Sequence, residues 1–386
     1  MSNEINDNQG NDLDFTRLEP WNSREYPIVV NSIRYNQDFS LLTLGTSKGY
    51  RIFLTSTLRL AHDPTDEVKN LGNIGIAMSY YKSSLVFLLP SKSNRDYPNN
   101  ELIVFDDFYQ TKFASFKDKS EAILNFFISK NCIFIIALSK IIILEIYSFN
   151  IIDVINNINS IKQLLSFNFY NFIAYTELKD KKKIYVNFYI NENNRIKTSV
   201  KKEIVYNFNY MQTFQLSPTG HILAIVSVYG NKMHLYYTQN GKLKECILLS
   251  PYIQTIEKVL FSEKKSNYLF VLRNDNKFNI YKIENRSIDK PKCICDKYDD
   301  NKITTKDKEE NNSGLIGYFR KYSKNKDVKE ILAYSVFEGN TLFIDFDRNK
   351  NKDIIIINKN GKFIKYHFKK KFLGILILFY HSNGND

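Results

Sequence analysis

The sequence predicts an all-β protein, a seven-bladed β-propeller of the WD-repeat type. Short strand-like runs rich in Ile, Phe and Tyr recur along the 386 residues, and convincing amphipathic helices are almost absent. Related units return at intervals of about 40 to 50 residues, which is the spacing of propeller blades. Seven such units can close into a ring that leaves no long sheet edge exposed.

Each unit combines apolar runs of strand length with tight polar turns. The units cover 31–57, 74–106, 122–149, 165–190, 209–248, a sixth that opens at 253, and 332–368. The fifth unit is the clearest, because turns at Ser217-Pro218-Thr219-Gly220 and at Tyr229-Gly230 separate three strand-like runs. The fourth unit is weakly marked, so rings of six or eight blades are the alternatives.

A single propeller is expected to span residues 26–370. Residues 1–25 are polar, lack the basic start and apolar core of a signal peptide, and are expected to form a disordered tail. The stretch 284–313 is dominated by Lys, Asp, Glu and Asn, and we expect it to be a disordered insertion in the sixth unit. Its exit, 315–321, is either the returning strand or an apolar wedge with adjacent positive charge. Residues 371–386 are expected to form a short C-terminal tail.

The composition favours a globular protein with anionic partners. Lys and Arg number 54 against 41 Asp and Glu, which gives a formal net charge of +13. Such a charge favours anionic partners such as phospholipid surfaces or nucleic acid. The alternative is that the Lys and Asn richness only reflects biased nucleotide content of the source genome. The most apolar window, 132–149, is interrupted by Lys140 and Glu145 and falls short of a bilayer span. Four scattered cysteines do not make a disulfide framework and fit a reducing cytosol. We therefore expect a cytoplasmic protein that is soluble or peripheral to membranes.

No enzyme signature is present in the sequence. A Gly-rich phosphate loop, a nucleophile elbow and an HExxH helix are all missing, and the five histidines are scattered. Cys293-Ile294-Cys295 has no second Cys or His pair at zinc spacing. The prediction is therefore a protein that is not an enzyme and that uses no metal or cofactor.

The first unit contains a specific sequence motif. N-Q-D-F-S at 36–40 followed by L-G-T-S-K-G-Y-R-I-F at 44–53 closely resembles the first blade of the PROPPIN family, the WIPI-like autophagy propellers that bind phosphoinositides. The resemblance extends over roughly 32–368. It implies a scaffold that is recruited to autophagosomal or endosomal membranes carrying phosphatidylinositol 3-phosphate or the 3,5-bisphosphate. It further implies that the scaffold assembles lipid-transfer and conjugation proteins of autophagy there.

The resemblance also implies where a lipid would bind. PROPPINs hold two head groups at the rim of blades five and six, and a Phe-Arg-Arg-Gly motif sends one arginine into each pocket, since a guanidinium grips phosphate bidentately. At the aligned position this chain has Ile247-Leu248-Leu249-Ser250, so both arginines are replaced. Losing two contacts of about 1.5–3 kcal/mol each predicts binding weaker by orders of magnitude. The remaining pocket positions, by resemblance, are Ser227, Asn231, His234, Ser250 and Asn279.

Basic residues near the same positions offer a substitute for the lost arginines. Lysine can serve phosphate as a point charge, although the same residues can equally form an ordinary solvated rim. The candidates are Lys244, Lys258, Arg273 and Lys277. The alternative function is a protein-only propeller scaffold without specific phosphoinositide binding. Nucleic acid is not an expected partner, because the aromatic residues mostly fall inside strands, where core packing explains them.

Overall fold

A computed structural model describes most of the chain up to residue 283 and five strands beyond it. The described residues are 28–56, 59–62, 71–158, 164–180, 182–192, 195–206, 210–250, 253–262, 268–274, 278–283, 328–331, 341–346, 353–358, 363–370 and 376–380. They form seven antiparallel sheets of four strands, and each sheet is built from four consecutive strands. Within this part of the chain, no helix is long and apolar enough to cross a bilayer.

The first four sheets occupy the N-terminal half. Their strands are β1 (Val30–Tyr35), β2 (Leu41–Thr46), β3 (Gly49–Leu54), β4 (Leu60–His62); β5 (Ile74–Ser79), β6 (Leu85–Pro90), β7 (Glu101–Asp106), β8 (Thr111–Lys117); β9 (Ile123–Ile128), β10 (Cys132–Ala137), β11 (Lys140–Glu145), β12 (Ile151–Asn156); and β13 (Leu165–Phe167), β14 (Phe172–Tyr175), β15 (Lys183–Glu192), β16 (Arg195–Val205).

The last three sheets follow in the same order. Their strands are β17 (Met211–Leu216), β18 (Ile222–Ser227), β19 (Lys232–Tyr237), β20 (Leu243–Leu248); β21 (Ile256–Phe261), β22 (Tyr268–Arg273), β23 (Phe278–Ile283), β24 (Val328–Ile331); and β25 (Thr341–Phe346), β26 (Asp353–Asn358), β27 (Phe363–Lys370), β28 (Leu376–Tyr380). β25 contacts both β21 and β1, so the seventh sheet lies between the sixth and the first, and the sheets form a ring. The predicted all-β propeller class is confirmed.

The core lies between neighbouring sheets. Buried apolar clusters join the first sheet to the second, the second to the third, and so on to the sixth. A second strand such as β2, β10 or β18 is buried along its whole length, because both of its faces pack against neighbours. Such strands carry near-continuous apolar runs, which made the units visible in the sequence.

The outermost strands differ from the sequence prediction. The expected units end before β4, β8, β12 and β16, and β28 lies inside the stretch 371–386 that was expected to be a tail. β28 pairs with β27 from Tyr366↔Tyr380 to Lys370↔Leu376. Outer strands such as β8 are mostly exposed and mix polar with apolar residues, so they lack the continuous apolar runs that mark the inner strands.

The fourth and sixth sheets correct two further expectations. The weakly marked fourth unit contains the longest hairpin described, with β15 and β16 paired from Lys183↔Val205 to Glu192↔Arg195. In the sixth sheet the returning strand is β24, which pairs with β23 and lies further along than the expected 315–321. The insertion 284–313, its exit 315–321 and the tail 1–25 lie outside the described residues.

The two cysteines that the structure describes differ in their bonding. Cys132 on β10 is a free, fully buried thiol, whereas Cys246 on β20 is disulfide-bonded. A disulfide is not what a reducing compartment favours. The sequence analysis expected no disulfide framework, and one bonded cysteine among the described residues does not make such a framework.

Cys132 is expected to resist alkylation in the folded protein. Burial raises its pKa to about 12, and the thiolate is the nucleophile. At pH 8 such a thiol is ionised in roughly one molecule in ten thousand, against roughly one in four for an ordinary thiol of pKa about 8.5. Iodoacetamide labelling followed by mass spectrometry should show Cys132 unmodified in native protein and modified in guanidinium. Equal labelling in both states would contradict this assignment.

Candidate binding surface of the fifth and sixth sheets

The segment 247–250, which the sequence analysis expects at the position of the arginine motif, crosses from the fifth sheet to the sixth. β20 ends at Leu248, and the next two residues begin the connection to β21. The backbone N–H groups of Leu249 and Ser250 both donate to the carbonyl oxygen of Asn231, at 2.7 and 3.3 Å. These bonds fix the segment against the turn between β18 and β19, so its side chains have defined directions.

Successive side chains of this segment point to opposite faces of the fifth sheet. Ile247 and Leu249 are buried in the apolar cluster that joins the fifth sheet to the sixth. Leu248 is half-buried and pairs with Lys232, whose face of the sheet is turned toward the fourth sheet. Leu248 thus faces the interface with the fourth sheet and Leu249 the interface with the sixth sheet, but both side chains are apolar. Neither interface therefore receives a cation from this segment.

Three of the expected pocket residues do come together. Ser227, Asn231 and His234 are all buried. The Ser227 hydroxyl donates to Asn231 Oδ1 at 2.8 Å, and the same hydroxyl accepts from the Lys232 backbone N–H at 3.3 Å. His234 Nδ1 lies 3.4 Å from the hydroxyl of Tyr236. The bonds of Ser227 and Asn231 brace the β18–β19 turn, which is a structural use of those two residues.

Cross-strand pairing shows which interface each residue faces. His234 pairs with Ile225, and Ile225 packs in the cluster between the fourth and fifth sheets. Asn279 pairs with Val271, which packs in the cluster between the fifth and sixth sheets. The expected pocket residues are thus divided between the two sides of the fifth sheet.

The substitute basic residues do not form one cluster. Arg273 pairs with Ile256 and faces the fifth sheet, while Lys258 pairs with Leu272 on the opposite face of the sixth sheet. Lys244 lies near the other end of β20, with its Nζ 3.5 Å from the Tyr237 hydroxyl and 5.4 Å from the centre of that ring. It lies four positions before Leu248 on the strand, a span of about 13 Å. Lys277 lies outside the described residues.

The structure reveals a surface that the sequence prediction missed. Phe108, Tyr109 and Phe113 form an exposed aromatic patch on the β7–β8 hairpin of the second sheet, with exposures of 77, 71 and 61%. The Phe108 and Tyr109 rings meet edge to face, 5.0 Å apart. Three large exposed aromatics on one hairpin are typical of a protein-binding site. The only sequence signal was their position beside the polar Asp106-Asp107 turn.

Comparison with known sequences finds short matches. No family model matches the chain. Autophagy-related protein 18 of Emericella nidulans is 38% identical over 64 residues, which is 17% of this chain and 14% of that protein. SVP1-like protein 2 of Schizosaccharomyces pombe is 30% identical over 79 residues, 20% of this chain and 21% of that protein. The matched stretches thus span about a fifth or less of these curated relatives.

Comparison with solved structures finds matches over nearly the whole chain. Kluyveromyces lactis Hsv2 with a complete loop 6CD superposes with a TM-score of 0.69 at 15% identity, covering 92% of this chain and 98% of Hsv2. KlAtg21, solved in complex with the coiled coil of AgAtg16, superposes with a TM-score of 0.58 at 12% identity, covering 91% of this chain and 98% of that one. The chain therefore shares the β-propeller fold of Hsv2 and KlAtg21, and a short stretch of its sequence is similar to Autophagy-related protein 18.

Proposed function

We propose that this protein is a propeller scaffold that assembles autophagy proteins at autophagic membranes through protein contacts. The observation that carries the proposal is the combination of a full-length propeller fold like that of Hsv2 with local identity to Atg18. Propellers present broad surfaces built from loops and outer strands, which suits assembly rather than catalysis.

The segment between the fifth and sixth sheets supports protein contacts over lipid reading. Leu249 is buried among apolar residues where the family places a phosphate-binding arginine. An apolar side chain offers no donor to a phosphate that carries close to two negative charges. The net charge of +13 still attracts anionic membranes without selecting a head group.

The exposed aromatic patch supports a partner of coiled-coil type. KlAtg21 was solved with the coiled coil of AgAtg16, and an amphipathic helix presents the apolar stripe that exposed aromatics bind. We propose that the aromatic patch of this chain binds a helical segment of another autophagy protein.

The second candidate is recruitment by phosphatidylinositol 3-phosphate or the 3,5-bisphosphate through a rebuilt pocket. Arg273 and Asn279 face the fifth sheet, and Ser227 and His234 lie on the other side of it. These residues would supply the remaining polar contacts. A preference of the unchanged chain for phosphoinositide vesicles over charge-matched vesicles would favour this candidate.

Replacing Phe108 and Tyr109 together by serine is expected to weaken binding of an Atg16-type coiled coil at least tenfold. Aromatic anchors at the centre of an interface carry much of its binding energy. Isothermal titration calorimetry measures the change, with the Atg16-type coiled coil from the organism that supplies this chain as the titrant. The matched control is Tyr147→Ser, because Tyr147 is 74% exposed but lies on the third sheet. Unchanged affinity in the double variant, or an equal loss in the control, would contradict the docking assignment.

A further inference from the structure

Side chains from sheets that are not neighbours meet at the axis of the ring. The first strands of neighbouring sheets contact one another, as β25–β1, β1–β5 and β13–β17 do, so the first strands surround the axis. The Phe39 ring, after β1, lies 4.9 Å from the Phe169 ring of the fourth sheet, and Phe169 lies 5.0 Å from Phe127 on β9. These three rings form an axial plug.

Arg34 lies five residues before Phe39, the first residue of this plug. It is on β1, and its Nη2 donates to Asn125 Oδ1 on β9 of the third sheet at 2.8 Å. A contact between the first and third sheets crosses the axial region. Arg34 as a residue is partly exposed, so it is not sealed from solvent on every side.

The guanidinium of Arg34 is not neutralised by any carboxylate among the residues that the structure describes. Its described polar contact is the amide oxygen of Asn125, and desolvation lowers its pKa from the usual value. An interior charge without a counter-ion is costly, and a bound anion removes that cost.

The polar groups left over at this place are donors. The Asn125 Oδ1 atom accepts both from Arg34 and from the Phe126 backbone N–H at 2.8 Å. The Asn125 amide N–H groups and the remaining guanidinium N–H groups are therefore available to an acceptor. A planar fork of N–H donors matches the oxygens of phosphate or carboxylate.

We propose that Arg34 and Asn125 form an anion site at the propeller axis that takes a small oxyanion with phosphate or carboxylate chemistry. The site is separate from the surface between the fifth and sixth sheets, and it does not depend on the proposed scaffold function. Its ligand reaches the axis from the side of the plug on which Arg34 lies.

The test is thermal unfolding of the full chain in phosphate, in acetate and in chloride at matched ionic strength. Phosphate or acetate is expected to raise the midpoint with a saturable dependence on concentration, since a ligand that binds only the folded state stabilises it. The anion with the lower half-saturation concentration identifies the ligand class. Exclusion of phosphate from the protein surface also stabilises proteins, but it does not saturate.

Three variants decide the outcome. Arg34→Gln is expected to raise the half-saturation concentration at least tenfold. Asn125→Asp supplies a counter-ion from within the chain and is expected to abolish the anion effect while keeping the protein folded. Lys117→Gln removes one charge from the exposed outer strand β8 and is expected to behave like the unchanged protein.

The proposal is overturned if chloride matches both other anions, or if Arg34→Gln and Asn125→Asp both keep the full saturable effect. Asp345 supplies a further check, because it holds the fifth position of β25 as Arg34 does of β1, and the two strands are neighbours. An anion effect that is missing in the unchanged chain and present only in Asp345→Asn would also overturn the proposal, since the chain would then neutralise Arg34 itself.

Discussion

Replacing Leu248 and Leu249 together by arginine is expected to create a preference for vesicles that carry phosphatidylinositol 3-phosphate over charge-matched phosphatidylserine vesicles. The unchanged chain is expected to show no such preference. The segment already directs Leu248 toward the fourth sheet and Leu249 toward the sixth, so one guanidinium would be added beside each interface. Two charge-assisted contacts of about 1.5–3 kcal/mol each correspond to a gain on the order of 10²- to 10⁴-fold in affinity.

Liposome flotation at physiological salt measures this gain. Each single variant is expected to show part of the preference, because the two side chains face different interfaces. The matched control is the double replacement by glutamine, which makes the segment polar without adding charge. A control that floats with the phosphoinositide as well as the arginine variant does would contradict the role assigned to the lost guanidinium groups.

The fold of each variant needs a separate check, because Leu249 is buried. Leu248 is only half-buried, so Leu248→Arg alone tests the interface with the fourth sheet at small structural cost. Circular dichroism and the thermal midpoint show whether a variant that fails to float is still folded. A folded Leu248→Arg variant without any preference would show that Ser227 and His234 do not complete a head-group pocket.

Gly230→Ala is expected to destabilise the protein by roughly 3 kcal/mol or more. Gly230 has a φ of +64°, in the left-handed region that residues with a Cβ rarely adopt, and a Cβ there would lie 2.0 Å from the backbone oxygen of Gln254. Two hydrogen bonds hold Gln254 against this turn: its backbone N–H donates to the Tyr229 carbonyl, and its Nε2 donates to the Gly230 carbonyl. The collision therefore forces the turn away from the connection between the fifth and sixth sheets.

Gly241→Ala is the matched control for Gly230→Ala. Gly241 has nearly the same φ, +67°, but its added Cβ would meet the Glu203 carbonyl at 3.2 Å, a contact that a small shift relieves. The control is expected to lose only the conformational cost of about 1–2 kcal/mol. Urea unfolding monitored by fluorescence gives both values. Equal losses in the two variants would show that the contact with Gln254 does not restrain the turn.

The inner strands were accessible to sequence analysis, and the outer ones were not. β2, β10 and β18 are buried on both faces, so each is an uninterrupted apolar run that a local pattern can detect. β8 is mostly exposed and contains Thr, Lys and Ser. Such a strand is held by pairing with its neighbour, and pairing partners cannot be deduced from the periodicity of one segment.

The sequence predicted where a candidate site would lie, but not how its side chains are arranged. The alignment with a known motif placed Leu248 and Leu249 between two units. The side of the sheet that each one faces follows from cross-strand pairs such as Lys232↔Leu248. The distance of Lys244 from Leu248 also needed the structure, because residues that are close in sequence lie far apart when they fall near opposite ends of one extended strand.

The sequence by itself determined the strand-and-turn units and the propeller class, because periodicity and turn chemistry are local properties. Only the tertiary structure decided which expected pocket residues lie on each face of the fifth sheet, which aromatic side chains are exposed and which side chains meet at the axis of the ring. Arg34 and Asn125 are 91 residues apart, and ring closure around a common axis is what brings them within hydrogen-bonding distance.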